Sequence, residues 1–467
     1  MTNYDLVRGL RRLTLPVSRW LVRFPGRAPI LGFLLLISIG TLLLMLPAAS
    51  ADAPIGFIDA LFTATSAGCV TGLIVMDTGT AFSGFGEGVI LLLIQTGGLG
   101  IMTISTLFLM IAGRRTGLMG RMVIHDTFTQ KRNLNPGDIV RNVILMACSL
   151  ELIGALILFF CFLPDHGAGR AVYLAVFHAV SAFCNAGFSL FPDSLMGYAE
   201  HWVVNLTVCF LIIAGGIGFL VLSELKRMFP FGKRSWSRLS LHSKLVISTS
   251  LILWGAGTLL FLMMEWHNTL APLSIPDRFL AAFFQSVTTR TAGFNTLAIE
   301  NLSSGALFLM IVFMFIGACP GSCGGGVKTT TVGSLFLLGI SRLRGHKFPR
   351  IFYRTIPMTS VWRAINVVML STGIIVFSLM LLLAGELGAL SPALSRSGFL
   401  DLFFEAVSAF GTVGLSTGVT GGLTPFGKLV ITAEMFIGRL GPLVIGIAIS
   451  RQINSRYHYA EEEIMIG

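Results

Sequence analysis

The chain has 467 residues, of which 54% are hydrophobic and only 12% are charged. A soluble domain carries about 25% charged residues, so this composition excludes an ordinary water-soluble protein and indicates one whose solvent is mostly lipid. The net charge of +11 could suit nucleic acid, but the basic residues cluster between apolar segments, as membrane topology requires, and we predict no nucleic-acid partner.

Eight apolar segments approach the roughly 20 residues that a helix needs to cross a bilayer. In chain order they are residues 30–46, 89–112, 143–163, 202–222, 245–264, 306–340, 367–384 and 429–450. The sixth segment is interrupted in its middle by glycine and proline. The pattern predicts an all-α polytopic membrane protein with about eight transmembrane helices in one membrane domain.

Most Lys and Arg residues lie in alternate connections between these segments. They are concentrated in residues 8–27, 114–141, 226–244 and 342–363, with Arg451 and Arg456 in the tail. The positive-inside rule places these stretches, and both termini, in the cytoplasm. The first apolar segment is predicted to be a retained helix because more crossings follow it.

The four connections on the opposite side share one sequence pattern. Each contains a glycine, at Gly72, Gly187, Gly293 and Gly414, and these glycines are 115, 106 and 121 residues apart. Ten residues before each glycine stands a phenylalanine. These are Phe62, Phe177, Phe283 and Phe404. The four copies align without a gap, which predicts four structural repeats of two helices and a hairpin.

Each hairpin segment from the phenylalanine onward is about ten residues long, which is too short to cross a hydrocarbon core of about 30 Å. We therefore expect it to enter the membrane and return. Irregular backbone at that depth must be buried in protein or line a watery cavity, and four copies can surround one pore. Short helices that aim their C-terminal carbonyls at the pore centre favour a cation there.

Glycine lets successive carbonyls turn toward an ion, and rings of carbonyls replace the hydration shell of K⁺. The predicted K⁺-binding selectivity filter comprises Cys69, Val70, Thr71, Gly72, Cys184, Asn185, Ala186, Gly187, Arg290, Thr291, Ala292, Gly293, Gly411, Thr412, Val413 and Gly414. Taken singly, each glycine also fits a tight turn or close helix packing. The fourfold register favours the filter.

The interruption at residues 317–326 contains five glycines and one proline, so no helix continues through it. Because it lies just inside a filter, we interpret it as a gate. The predicted gate residues are Gly317, Pro320, Gly321, Gly324, Gly325, Gly326, Lys328 and Arg439. The segment also imitates a phosphate-binding loop, but Val327 separates Gly326 from Lys328 and no strand precedes it.

Several charged residues fall within or beside the apolar segments. Arg439 is expected to face the pore as an electrostatic barrier, or else to pair with Glu434 or with loop carbonyls. Arg290 is expected to bond filter-loop carbonyls. Lys328 belongs to the gate or extends to the inner interface. Asp401 and Glu405 either enrich cations at the outer mouth or are solvated exterior charges.

The four hairpins resemble the pore loops of the Trk/Ktr/HKT superfamily of cation transporters. The resemblance covers nearly the whole chain, including residues 317–331, 438–442 and 463–467, and the bacterial Ktr membrane subunits are the most similar branch. It implies K⁺ uptake through a pseudo-fourfold pore, a homodimer, and a cytosolic ring of RCK subunits that carries the nucleotide, ATP or ADP. Na⁺ is a possible activating ion, and the location is the bacterial inner membrane.

The predicted organisation is a cytosolic segment 1–28, pore repeats 29–113, 142–226, 244–341 and 361–450, and a cytosolic tail 451–467. The third repeat includes the gating loop 317–328. Two other functions are alternatives: a Trk-type symporter or Na⁺-permeable relative, and a membrane enzyme. The sequence lacks the His-Glu-x-x-His and Gly-x-Ser-x-Gly motifs, so we predict that it is not an enzyme.

Overall fold

The computed structural model describes residues 27–115, 136–228, 235–388 and 398–442. The predicted cytosolic tail 451–467 lies outside the described residues, as does the predicted cytosolic segment 1–28 except for its last two residues. Parts of the basic clusters, including Arg121, Lys131 and Lys233, also lie outside them.

The described chain is built from four similar units, each with a first helix, a short helix and a second helix. In repeat 1 these are Arg27–Leu44, Phe57–Gly68 and Gly84–Arg115. In repeat 2 the first and short helices form one run, Pro136–Cys184, which is broken at Gly167, where φ is 68° and ψ is 160°. Its second helix is Trp202–Ile217, continued by Phe219–Met228.

Repeat 3 contains Leu241–Glu265, Ile275–Thr288 and a divided second helix, Ser304–Phe315 and Thr329–Leu343. Repeat 4 contains Met358–Leu382, Phe399–Gly411 and Pro425–Leu440. The remaining elements are the short helices Thr78–Ala81 and Ser235–Arg238, the 3-10 turns Pro47–Ala49, Met196–Tyr198, Ile299–Asn301 and Thr420–Gly422, the π-turn Leu383–Leu387, and an antiparallel hairpin of Arg350–Ile351 with Arg354–Thr355. The predicted helical fold of four repeats is confirmed.

Among the described residues, the spans Val140–Cys184, Leu241–Glu265 and Met358–Leu387 are long and apolar enough to cross a membrane. A fourth span is formed if Trp202–Ile217 and Phe219–Met228, which meet at 107°, are counted together. Pro29–Leu44, Gly84–Gly100 and Ser304–Phe315 are shorter apolar helices. Breaks shorten the second helices at Gly218 in repeat 2, where φ is 94°, and after Phe315 in repeat 3.

The core lies around the short helices rather than between the outer ones. Phe62, Phe177, Phe284 and Phe404 are fully buried in the four short helices. The flanking long helices expose apolar side chains instead, such as Met263, which is 78% exposed. Apolar side chains on the outside and a packed interior are the pattern expected where lipid replaces water around the protein.

Candidate ion pathway

The four predicted filter glycines are neighbours in space and follow one another around a closed ring. A Cβ built on Gly187 would lie 2.8 Å from the Ala292 carbonyl oxygen, and one on Gly293 would lie 2.5 Å from the Val413 oxygen. A Cβ on Gly414 would collide with the Thr71 oxygen, and one on Gly72 with the Ala186 oxygen. Each glycine thus packs against the carbonyl that precedes the glycine of the next repeat, in the order one, two, three, four, one.

The backbone around each glycine repeats the same alternation of conformations. Gly72, Gly187, Gly293 and Gly414 have φ values of 96°, 70°, 80° and 91°. The residues two positions earlier also lie in the left-handed region; they are Val70, Asn185, Thr291 and Thr412, with φ between 50° and 71°. Left-handed Val and Thr cost free energy that the surrounding structure must offset, and such strain concentrates at functional sites.

The ungapped alignment of the four hairpins is wrong in repeat 3. The fully buried phenylalanine of that repeat is Phe284, whereas the predicted Phe283 is partly exposed. The hydrogen bonds of the hairpins differ by one residue in the same way. In repeat 1, Thr71 N donates to the carbonyl five residues earlier, Ser66 O, at 2.7 Å. In repeat 3, Ala292 N donates to the carbonyl four residues earlier, Thr288 O, at 3.0 Å. The third hairpin therefore has one residue fewer between its phenylalanine and its glycine.

A hydroxyl one turn after the buried phenylalanine supports each hairpin. Ser66 and Ser408 accept hydrogen bonds from Gly72 N and Gly414 N, both at 3.1 Å. The Ser181 hydroxyl donates to Phe188 O at 2.7 Å, and the Thr288 hydroxyl donates to Phe294 O at 2.6 Å. These bonds hold the backbone on either side of the glycine without using the carbonyls that precede it.

The expectation that Arg290 bonds filter-loop carbonyls is wrong. Its guanidinium lies over the Trp254 ring, 5.3 Å from the centroid, and Nη2 reaches Cys319 Sγ at 3.9 Å. It is 5% exposed, and its Nε and Nη1 have no partner among the described residues. Because the third hairpin is one residue shorter, Arg290 follows the end of its helix and points behind the filter, toward the gating loop.

Glu405 is not a solvated exterior charge, which was one of the two alternatives that the sequence left open. It is fully buried, and it accepts hydrogen bonds from the hydroxyls of Ser416 and Thr420, the latter at 2.8 Å. In repeat 2 the matching residue is His178, whose Nε2 lies 3.0 Å from the Ser189 hydroxyl. Both side chains follow the buried phenylalanine and contact a serine two residues beyond the glycine, so they brace the outer arm of the hairpin.

The interrupted segment of repeat 3 lies directly beneath the filter hairpins. Gly325 N donates to the Thr412 hydroxyl at 3.0 Å, and a Cβ on Gly324 would collide with the Thr291 hydroxyl. Gly326 lies against Gly411, its own Cβ position being 3.3 Å from the Gly411 oxygen. Gly324 and Gly325 are required because a side chain on either would overlap a filter threonine.

The segment is also tied to the broken second helix of repeat 2. Cys319 N and Cys323 N each donate to this helix at 3.0 Å, to Gly216 O and Gly215 O respectively. Phe219 N, just past the break, donates to Gly321 O at 3.0 Å. The sequence interpretation missed this break at Gly218, for which the only signal was a Gly-Gly-Ile-Gly run inside an apolar segment.

Two positively charged side chains, Lys328 and Arg439, lie against the same segment. Lys328 Nζ donates to Gly324 O at 2.7 Å. Arg439 is 4% exposed and donates to Cys323 O and, at 2.8 Å, to Gly97 O in the second helix of repeat 1. Of the pairings considered for Arg439, contact with loop carbonyls is present, whereas no ion pair with Glu434 occurs among the described residues. Arg439 thereby joins repeats 1, 3 and 4 below the filter.

The chain matches a family model for cation transport proteins, TrkH, over residues 30–457. It is 41% identical to the Ktr system potassium uptake protein B of Bacillus subtilis, a match that covers 97% of this chain and 98% of that protein. The chain belongs to the TrkH cation transport protein family. It is therefore a membrane transport protein and not an enzyme, as predicted.

Two further proteins are similar to this chain over most of their length. The potassium/sodium uptake protein NtpJ of Enterococcus hirae is 37% identical, with 93% of this chain and 96% of that protein covered. The crystal structure of the potassium transporter TrkH from Vibrio parahaemolyticus matches with a TM-score of 0.74 at 21% identity, covering 92% of this chain and 85% of that one. The structural match shows that the TrkH family fold extends over nearly the whole chain.

Proposed function

We propose that this chain takes up K⁺ across the bacterial inner membrane through a pore on the axis of its four repeats. The observation that carries the proposal is the closed ring of Gly72, Gly187, Gly293 and Gly414, each packed on the carbonyl before the next glycine. Carbonyls gathered at the ends of four short helices replace water around a cation. The relatives named as potassium uptake proteins support K⁺ as the ion.

The segment 317–328 acts in this proposal as the gate, with Lys328 and Arg439 as its charged elements. Its contacts with Thr412 and Gly411 leave it under the filter, where it obstructs an ion leaving the filter inward. In this arrangement the Lys328 and Arg439 side chains donate hydrogen bonds to carbonyls of the loop. Moving the loop aside exposes the pathway and frees those carbonyls.

Further parts of the proposal concern assembly. The Ktr system relatives support a partner subunit, and we propose that it is a cytosolic RCK ring, carrying ATP or ADP, on a homodimer of this chain. The basic connections support cytoplasmic termini. A relative named for potassium and sodium uptake makes Na⁺ the competing cation to measure, either as a second permeant ion or as an activating ion.

The test is uptake of K⁺, Rb⁺ and Na⁺ by purified protein in liposomes, with empty liposomes as the control. We expect K⁺ and Rb⁺ to enter at similar rates and Na⁺ at least about tenfold more slowly, because carbonyl rings of this kind substitute for the hydration shell of K⁺. Equal rates for the three ions would contradict a K⁺ filter. If a variant with a shortened gate segment carried no cation into the liposomes, that result would contradict the proposed pore.

A further inference from the structure

A cavity of about 340 Å³ lies between the inner ends of repeats 3 and 4, away from the filter. Its walls come from the start of the helix Leu241–Glu265, from Thr329–Leu343 just after the gating loop, and from the start of Met358–Leu382. A volume of several hundred Å³ is within the range of small-molecule sites. None of its lining residues is acidic.

Hydrogen-bond donors converge on this cavity without partners of their own. Arg354 and Arg363 line it, and within the described part of the chain neither guanidinium has an ion pair or hydrogen bond. His242 Nε2 is buried and unpartnered. The hydroxyls of Thr330 and Ser360 likewise have no bond to another described residue. Both arginines are solvent-exposed, whereas His242 Nε2 is buried, and an anion with several oxygens would accept hydrogen bonds from all three groups together.

The carboxylate of Glu224 acts on His242 but is not among the lining residues of the cavity. Glu224 accepts from Ser240 N and from the Ser240 hydroxyl, both at 3.2 Å, and so sits behind one wall. Two arginines therefore face the cavity with no acid between them. Arginine guanidinium groups match phosphate oxygens in a two-pronged geometry, so the donor set favours a phosphate over a simple carboxylate.

The cavity is placed at the level of a membrane surface. Arg363 and Ser360 lie in the first two turns of Met358–Leu382, which crosses toward the opposite side, and the neighbouring Trp362 is 60% exposed. Exposed Trp marks the interface between headgroups and water. Leu245, Ala364 and Val367 supply an apolar wall beside the arginines, which suits a ligand with a charged head and an apolar tail.

We propose that this cavity binds the phosphate of an anionic phospholipid from the inner leaflet, with Arg354 and Arg363 as its ligands. Thr330 and Thr331 line the cavity two and three residues after Lys328, which is bonded to the gating loop. A lipid held there contacts the helix that directly follows the gating loop. An effect of the bound lipid on the gate rests on the proposed function, whereas the binding of the lipid does not.

Binding is tested by reconstituting the full chain in phosphatidylcholine nanodiscs with a small fraction of labelled phosphatidylglycerol and measuring the label retained near the protein. Replacing both arginines with glutamine, Arg354→Gln with Arg363→Gln, is expected to lower phosphatidylglycerol affinity about tenfold or more, because two charge-assisted contacts are lost. The matched control is Arg342→Gln with Arg344→Gln, which removes the same charge from exposed positions outside the cavity. It is expected to retain the lipid.

Two further arms separate the remaining explanations. Lysine at both positions, Arg354→Lys with Arg363→Lys, keeps the charge but not the two-pronged contacts, so it is expected to bind phosphatidylglycerol more tightly than the glutamine pair, which a misfolded variant would not. Excess inorganic phosphate is expected to leave the labelled lipid in place. Equal lipid loss in the control pair, full displacement by inorganic phosphate, or undiminished binding in the glutamine pair would each overturn the lipid site. None of these outcomes depends on whether the protein transports K⁺.

Discussion

Serine in place of Gly72 is expected to lower the permeability ratio of K⁺ to Na⁺ at least about tenfold. Gly72 has φ of 96°, and any Cβ there would collide with the Ala186 carbonyl oxygen and lie 3.1 Å from Gly187 Cα. A strained left-handed residue costs about 1–3 kcal/mol, and a shift of about 1.4 kcal/mol in the barrier difference between the ions changes their ratio tenfold. The measurement is the ratio of K⁺ to Na⁺ uptake in liposomes.

The control for this variant is Gly88→Ser, in the second helix of the same repeat, where a Cβ would meet nothing within 4 Å. It should leave the ratio unchanged. Gly187 and Gly293 should behave like Gly72, because a Cβ on each would lie 2.8 Å or less from a carbonyl of the next repeat. If Gly72→Ser is produced in normal yield and its ratio of K⁺ to Na⁺ uptake is unaltered, the glycine ring does not form part of the ion pathway.

Deleting Gly324 and Gly325 is expected to raise K⁺ flux at least about tenfold and to make it less dependent on the proposed cytosolic partner. These residues form the part of the gating loop that rests on Thr291 and Thr412, and Lys328 Nζ is bonded to the Gly324 carbonyl. A shorter loop cannot fill the space beneath the hairpins of repeats 3 and 4, so an obstruction of about 1.4 kcal/mol or more disappears. The measurement is K⁺ uptake with and without the partner subunit.

A matched deletion of Asp52 and Ala53, in an exposed external connection, shortens the chain equally without touching the loop. Its flux should stay at the level of the unaltered protein. If the loop deletion leaves flux low and still dependent on the partner, the gate lies elsewhere in the second helices. The break at Gly218, to which the loop is bonded through Phe219 N and Gly321 O, would then be the next position to alter.

The repeats and their glycines were accessible from sequence because both follow from local chemistry. An apolar run, a phenylalanine that anchors a short helix, and a glycine at a left-handed position recur in each unit, and none of these depends on a distant contact. The missing residue in repeat 3 was hidden because Phe283 and Phe284 are adjacent. Either one satisfies the pattern, and only burial distinguishes them.

The partners of the buried charges could not be predicted in the same way. Arg439 reaches carbonyls of Cys323 and Gly97, which are 116 and 342 residues away along the chain. Glu405 finds hydroxyls in the arm that follows its own filter, a contact that depends on how the hairpin folds back. Glu434 is fully buried and has no ion pair among the described residues, and nothing in the sequence indicated that.

The most direct test of a pore built from four repeats is the position of the ion itself. Crystals or frozen samples prepared in Rb⁺ should show density on the axis enclosed by Gly72, Gly187, Gly293 and Gly414, within contact distance of the Thr71, Ala186, Ala292 and Val413 carbonyls. The same preparation in Na⁺ should leave that position weaker. Rb⁺ density away from this axis, with the space between the four glycines empty, would contradict the account.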